Sequence, residues 1–125
     1  MSYVSADAER LPFVDRTFDV VACFNALDHV QSVEGAIREM TRVARPGASL
    51  LLVVDVNHRP THTEPHHLGW NITETFDGWS EVFRREFEHS AHGYVTSLRD
   101  DPVAYNHSDV RERWGILVSR LERQG

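Results

Sequence analysis

A chain of 125 residues with 41% hydrophobic side chains has room for one core, and a single domain spanning 1–125 is expected. The formal charge of -6, with all 13 cationic residues being arginine, leaves no basic face for a nucleic acid. One cysteine, no signal-peptide pattern and no apolar run near the ~20 residues of a membrane helix predict a soluble, cytoplasmic protein without disulfides.

The segment "DAERLPFVDRTFDVV", residues 7–21, comes early and is unusual. An aspartate and a Pro-kinked loop lead into an apolar run, and the residues before them, "YVSA" at 3–6, allow only the end of a strand. Residues 18–24, "FDVVACF", read as a strand covered on both faces. Ser32 then caps a helix over 32–44, with Val33, Ala36, Ile37, Met40, Val43 and Ala44 on one face and Glu34, Arg38, Glu39 and Arg42 toward water. "RPG" at 45–47 stops that helix, because Pro46 disfavours the helical region at Arg45. A second apolar run follows over 49–56, so strand, helix and strand predict a right-handed crossover with parallel strands.

Beyond Val56 the pattern loosens. Residues 57–70 carry two prolines and four histidines and read as a long loop, with a short helix possible in "ITETFDGW". Residues 79–89 fit either a helix or a strand by spacing, and Tyr94 to Leu98 suggest a short extended piece. The run over 114–121 is short and β-branched enough for a strand. His58, His62, His66 and His67 do not match a compact zinc spacing and no cysteine supports them, so no metal is expected. Asp55 reads as a strand-end residue and Asp101-Pro102 as a turn.

Three segments in order, "DAERLPFVDRTFDVVACFNALDHV", "AIREMTRVARPG" and "SLLLVVD", resemble the C-terminal half of a class I S-adenosylmethionine-dependent methyltransferase. The narrower likeness is to small-molecule enzymes of the ubiquinone and menaquinone C-methyltransferase type. It implies an α/β fold with an incomplete Rossmann-like sheet, strands three to seven of the order 3-2-1-4-5-7-6. Strands one and two and their Gly-rich loop have no counterpart, since no glycine precedes Gly35. The outermost strand, with the 79–89 segment, should then lie beside 114–121, which pairs antiparallel with 49–56.

Ligands of open α/β sheets bind outside the carboxyl ends of the strands. By the resemblance, Asp7 accepts a hydrogen bond from the adenine amine of S-adenosylmethionine, the Ala8 amide faces a ring nitrogen, and Leu11 and Phe13 wall the base. Asn25 and Ala26 then line the methionine end. His29 is a weak candidate for orienting or deprotonating the acceptor; a histidine bonded to a neighbouring carbonyl is the structural alternative. Methyl transfer is an in-line displacement on an activated carbon, so no catalytic side chain is obligatory. The partners implied are a small-molecule acceptor and, over the apolar 18–24 edge, a second copy or another chain. With the Gly-rich loop missing, the isolated half-domain is expected to be inactive, or else to serve as a non-catalytic subunit or dimerisation module.

Overall fold

The computed structural model describes residues 2–125. Four strands form one sheet in the order β1-β2-β4-β3: β1 (Phe18–Phe24), β2 (Ala44–Val56), β3 (Trp79–Glu88) and β4 (Gly115–Arg123). β1 and β2 are parallel and joined through α1 (Val33–Val43), the crossover that the sequence predicts. The cap is also as predicted, with the Ser32 hydroxyl accepting from the Gly35 N–H at 2.9 Å. β4 runs antiparallel to β2, with Val53 opposite Val118, and β3 runs antiparallel to β4. The alternation in 79–89 therefore prevails over its helical spacing, and Phe83 and Phe87 lie opposite Arg120 and Ile116.

β2 begins at Ala44, ahead of its apolar run. Phe18 pairs with Ala44 and Val20 with Ser49, so the chain bulges between them and turns at Gly47, whose φ of 83° suits glycine. The core lies on one face of the sheet. Leu50, Leu52, Val54 and Val56 meet Ile37 and Met40 of α1, Ile72 and Phe76 from the segment before β3, and Leu117 and Leu121 of β4. A short 3₁₀ turn at Trp70–Thr75 stands where the sequence suggests a helix. No helix is long and apolar enough to cross a membrane among the described residues.

Several expectations need correction. β1 is not covered on both faces: Val20 and Phe24 are 57% and 59% exposed, while Val21 and Cys23 pack on the core. Residues 3–6 join no strand, because no neighbouring strand is there to take their N–H and C=O groups. Tyr94 to Leu98 are not extended but enter a helical turn, Thr96–Asp100. The serine hydroxyl explains this: Ser97 donates to the Gly93 carbonyl at 2.8 Å and accepts from the Ser90 N–H at 2.8 Å.

Glu39 and Arg42 do not face water either. Arg42 donates to the Phe13 and Leu11 carbonyls at 2.7 and 3.0 Å, and Glu39 accepts from the Leu11 N–H at 2.8 Å. The Leu-Pro-Phe loop is thus bound to the polar side of α1. The Arg42 guanidinium, with the Leu11 amide, holds the Glu39 carboxyl down at about 2. A depressed folded value contributes stability above the ordinary glutamate range that is lost as pH falls through about 2. Glu39→Gln should therefore cost about 1.5 kcal/mol at neutral pH. The difference from wild type should narrow in urea unfolding as the pH is lowered below 4 or so. An unchanged gap at low pH would show that the charge on Glu39 contributes nothing.

Candidate functional site

Among the described residues two of the three non-glycine residues at positive φ stand at the carboxyl ends of β1 and β2, the third being Arg16 in the turn before β1. Asn25 closes β1 at φ 51° and Asn57 closes β2 at φ 65°, a left-handed conformation that asparagine tolerates better than most residues. The Asn25 N–H still bonds the Val53 carbonyl at 2.8 Å, so the reversal comes directly at the sheet's end. Such backbone gathers at functional sites.

Two features flank these ends. On the β1 side lies an apolar cleft of about 380 Å³ lined by Ala8, Leu11, Val21, Cys23, Ala26 and Leu27, among others. Burial pushes the Cys23 thiol up, so it stays a neutral wall. On the β2 side lies a polar cluster. The buried Asp55 carboxylate accepts from the Tyr94 hydroxyl, and His89 Nε2 stands 3.8 Å from the same oxygen. Tyr94 also lies 3.2 Å from Asn25 Oδ1. A phenol has one proton, which goes to the carboxylate; turning the Asn25 amide lets its NH₂ donate to the phenol oxygen instead. Burial raises the Asp55 carboxyl, opposed by the Tyr94 bond. Burial, then the bond to Asp55, raises the Tyr94 phenol well above the ordinary range, so Tyr94 remains the donor.

A third group lies beside this cluster. Asp28 and His58 are fully buried and meet at 3.0 Å. The His58 ring packs on Trp114 at 4.8 Å, and Trp114 in turn meets His89 at 5.4 Å. Glu64 lies 3.8 Å from His58 Nδ1.

The residues singled out in the sequence are distributed as follows. Ala8, Leu11 and Ala26 line the cleft. Asp7 is exposed, and one of its carboxylate oxygens accepts from the Glu9 N–H at 2.8 Å, as in an Asx turn. Phe13 packs edge-on against Phe18 at 4.9 Å. Asn25 joins the polar cluster. His29 bonds the Thr63 carbonyl through Nδ1 at 3.0 Å, the structural alternative named for it. His66 bonds the Val30 carbonyl at 2.6 Å, and His62 and His67 are exposed. Tyr94, His89 and Glu64 carry no signal in the sequence. Asp55 has one, an acid at the carboxyl end of an apolar run. A larger hollow of about 510 Å³ lies beside β3, and its Arg84 is already bound to Glu81, Glu86 and the Trp70 carbonyl.

Residues 1–52 match a family profile described as "Methyltransferase domain". Over this segment the chain is similar to class I S-adenosylmethionine-dependent methyltransferases. It is 45% identical over 53 residues to norajmaline N-methyltransferase of Rauvolfia serpentina, a match covering 42% of this chain and 18% of that enzyme. It is 47% identical over 51 residues to the ubiquinone/menaquinone biosynthesis C-methyltransferase UbiE of Idiomarina loihiensis, covering 41% of this chain and 20% of that one. The matched segment thus spans about a fifth of these curated relatives' length. A Bacillus halodurans structure described as a putative methyltransferase superposes with TM-score 0.67 at 15% identity, covering 98% of this chain and 78% of that one. The [4+2]-cyclase SpnF superposes with TM-score 0.69 at 18% identity, covering 97% and 55%. The first pair of matches is confined to the N-terminal segment; the second carries the α/β fold across the whole chain, including the part beyond residue 52. The cofactor that this similarity implies is S-adenosylmethionine.

Proposed function

We propose that this chain is part of a methyltransferase that transfers the methyl group of S-adenosylmethionine to a small-molecule acceptor. The observation that carries the reading is the juxtaposition of an apolar cleft and a polar cluster at one end of the sheet, joined through Asn25. The cofactor supplies an already activated methyl group. Ala8, Leu11 and Ala26 provide apolar walls for the adenine, with Phe13 behind them on Phe18. The second oxygen of Asp7 is left over from its turn for the adenine amine. Tyr94, Asp55 and His89 face the acceptor side, where Asp55 and His89 can take up a proton as the acceptor is positioned.

These residues fit the adenine end and not the rest of the cofactor. The first glycine, Gly35, lies inside α1 rather than in a strand-to-helix loop, and among the described residues no acid lines the cleft to take the ribose hydroxyls. Two or three missing polar contacts at ~1.5–3 kcal/mol each lower affinity by about two to six orders of magnitude. The isolated chain is therefore expected to bind the cofactor at millimolar levels or weaker and to be inactive alone. One observation favours a second reading, a non-catalytic subunit or dimerisation module: β1 is an edge strand with Val20 and Phe24 exposed. One structural relative is described as a complex of a Haloferax volcanii methyltransferase with the Trm112 activator, which gives a partner on this chain a precedent in the fold. Calorimetry with S-adenosylmethionine and sedimentation of the same sample test both readings. Millimolar binding supports the first. Binding too weak to detect in a tight dimer supports the second, and micromolar binding by a strict monomer contradicts the second and the expected incompleteness of the cofactor site.

A further inference from the structure

The buried Asp28–His58 pair has a feature that methyl transfer does not use. His58 Nδ1 lies 3.0 Å from the Arg59 carbonyl and His29 Nδ1 lies 3.0 Å from the Thr63 carbonyl. A carbonyl only accepts, so each Nδ1 carries a hydrogen, and in the neutral ring each Nε2 is left with its lone pair. Both Nε2 atoms then converge on Asp28. His58 Nε2 is 3.0 Å from Oδ2, and His29 Nε2 is 3.7 Å from Oδ1. Glu64 closes the group, 3.5 Å from His29 Nε2. A lone pair facing a carboxylate oxygen in the buried Asp28–His58 pair is repelled unless a proton or a metal ion lies between them. Independently, Asp28 Oδ1 is buried with no hydrogen-bond partner, on a side chain that is 0% exposed.

We propose that Asp28, His29, His58 and Glu64 bind one divalent first-row cation of borderline softness, for which Zn²⁺ is the representative. Two imidazoles with two carboxylates are a donor set for zinc and its neighbours rather than for magnesium, which prefers oxygen and keeps its waters. Four ligands at ~2.0–2.1 Å in a tetrahedron stand about 3.3 Å apart. The approaches of the Nε2 atoms to the carboxylates run from 3.0 to 3.7 Å, and one donor atom each of Asp28, His58 and Glu64 falls within 4.8 Å of the others. The carbonyl bonds to both Nδ1 atoms are the outer contacts that orient histidine ligands. The His29 side chain is 39% exposed and gives an entry path from solvent. A bound ion would fasten the 58–64 loop to the end of β1. The site stands on these four residues alone and does not depend on the methyl-transfer reading.

The test is calorimetry of the chelator-stripped protein with ZnCl₂, with thermal unfolding read in parallel. One ion per chain is expected, with micromolar or tighter affinity, a raised Tm, and no displacement by millimolar Mg²⁺. Glu64→Gln and His29→Ala, both on partly exposed side chains that need not disturb folding, should each weaken zinc at least tenfold and reduce the Tm shift. His62→Ala and His67→Ala, which lie outside the group, should change neither. Zinc binding indifferent to Glu64→Gln and His29→Ala, binding lost in His62→Ala or His67→Ala, or no binding below millimolar zinc would each overturn the proposal. In the last case His58 holds a second proton in place of the ion.

Discussion

Replacing His58 with alanine should destabilise the chelator-treated protein by about 3–5 kcal/mol. The ring is wholly buried against Trp114, and it is the hydrogen-bonding partner of Asp28 Oδ2. Its removal leaves both Asp28 oxygens without a partner in the interior, since Oδ1 already has none. The penalty is that of an uncompensated buried charge, added to a cavity. The double variant Asp28→Asn with His58→Leu removes the charge along with its partner and should recover most of the loss. Urea unfolding of the four proteins in EDTA measures this cycle. A single variant that loses under 1 kcal/mol, or a double variant worse than the sum of the singles, would contradict the pairing.

Gly115→Ala should cost about 2 kcal/mol, although glycine here is neither in a turn nor at positive φ. Gly115 opens β4 between Val56 and Glu88, and a Cβ there would come within 2.5 Å of Trp70 Cζ2 and 2.7 Å of Cη2. The indole cannot swing aside freely, because Tyr105 packs edge-on at 4.7 Å and His107 at 5.5 Å. Trp70's carbonyl also accepts from Arg84 at 2.5 Å. The near-ultraviolet circular dichroism of Gly115→Ala should change with the moved indole. A second change, Trp70→Leu, should make the alanine nearly neutral, a coupling that a double-mutant cycle detects. Equal losses with and without Trp70 would mean that the close approach is not what makes glycine necessary.

The elements that hold the sheet together were legible because they are local and periodic. The apolar runs at Phe18–Phe24 and Leu50–Val56, the Ser32 cap and the short β-branched run before Leu121 each signal their state within one segment. What periodicity gives is a face and not its partner. Glu39 and Arg42 fall on the polar side of α1 by spacing, and nothing in the spacing reveals the loop that their charges hold. The candidate site was less legible for the same reason. Tyr94 and Asp55 are 39 residues apart, and Asp28 and His58 are 30 apart across a loop with no period of its own. Ala8, Leu11 and Ala26 could be placed only through the family resemblance. The strand end read at 3–6 has no neighbour to pair with among the described residues.

The claim that the 7–13 loop and the end of β1 form the adenine edge of a methyltransferase is tested most directly by nuclear magnetic resonance. S-adenosylmethionine would be titrated into the isotope-labelled chain to millimolar concentration, and each backbone amide followed. The account predicts weak, saturable shifts concentrated at Ala8, Leu11, Cys23, Ala26 and Leu27, around the apolar cleft. The amides of β3, on the far edge of the sheet, should stay still. Shifts centred on β3 or its hollow, or none at the cleft with the cofactor at 10 mM or so, would contradict it.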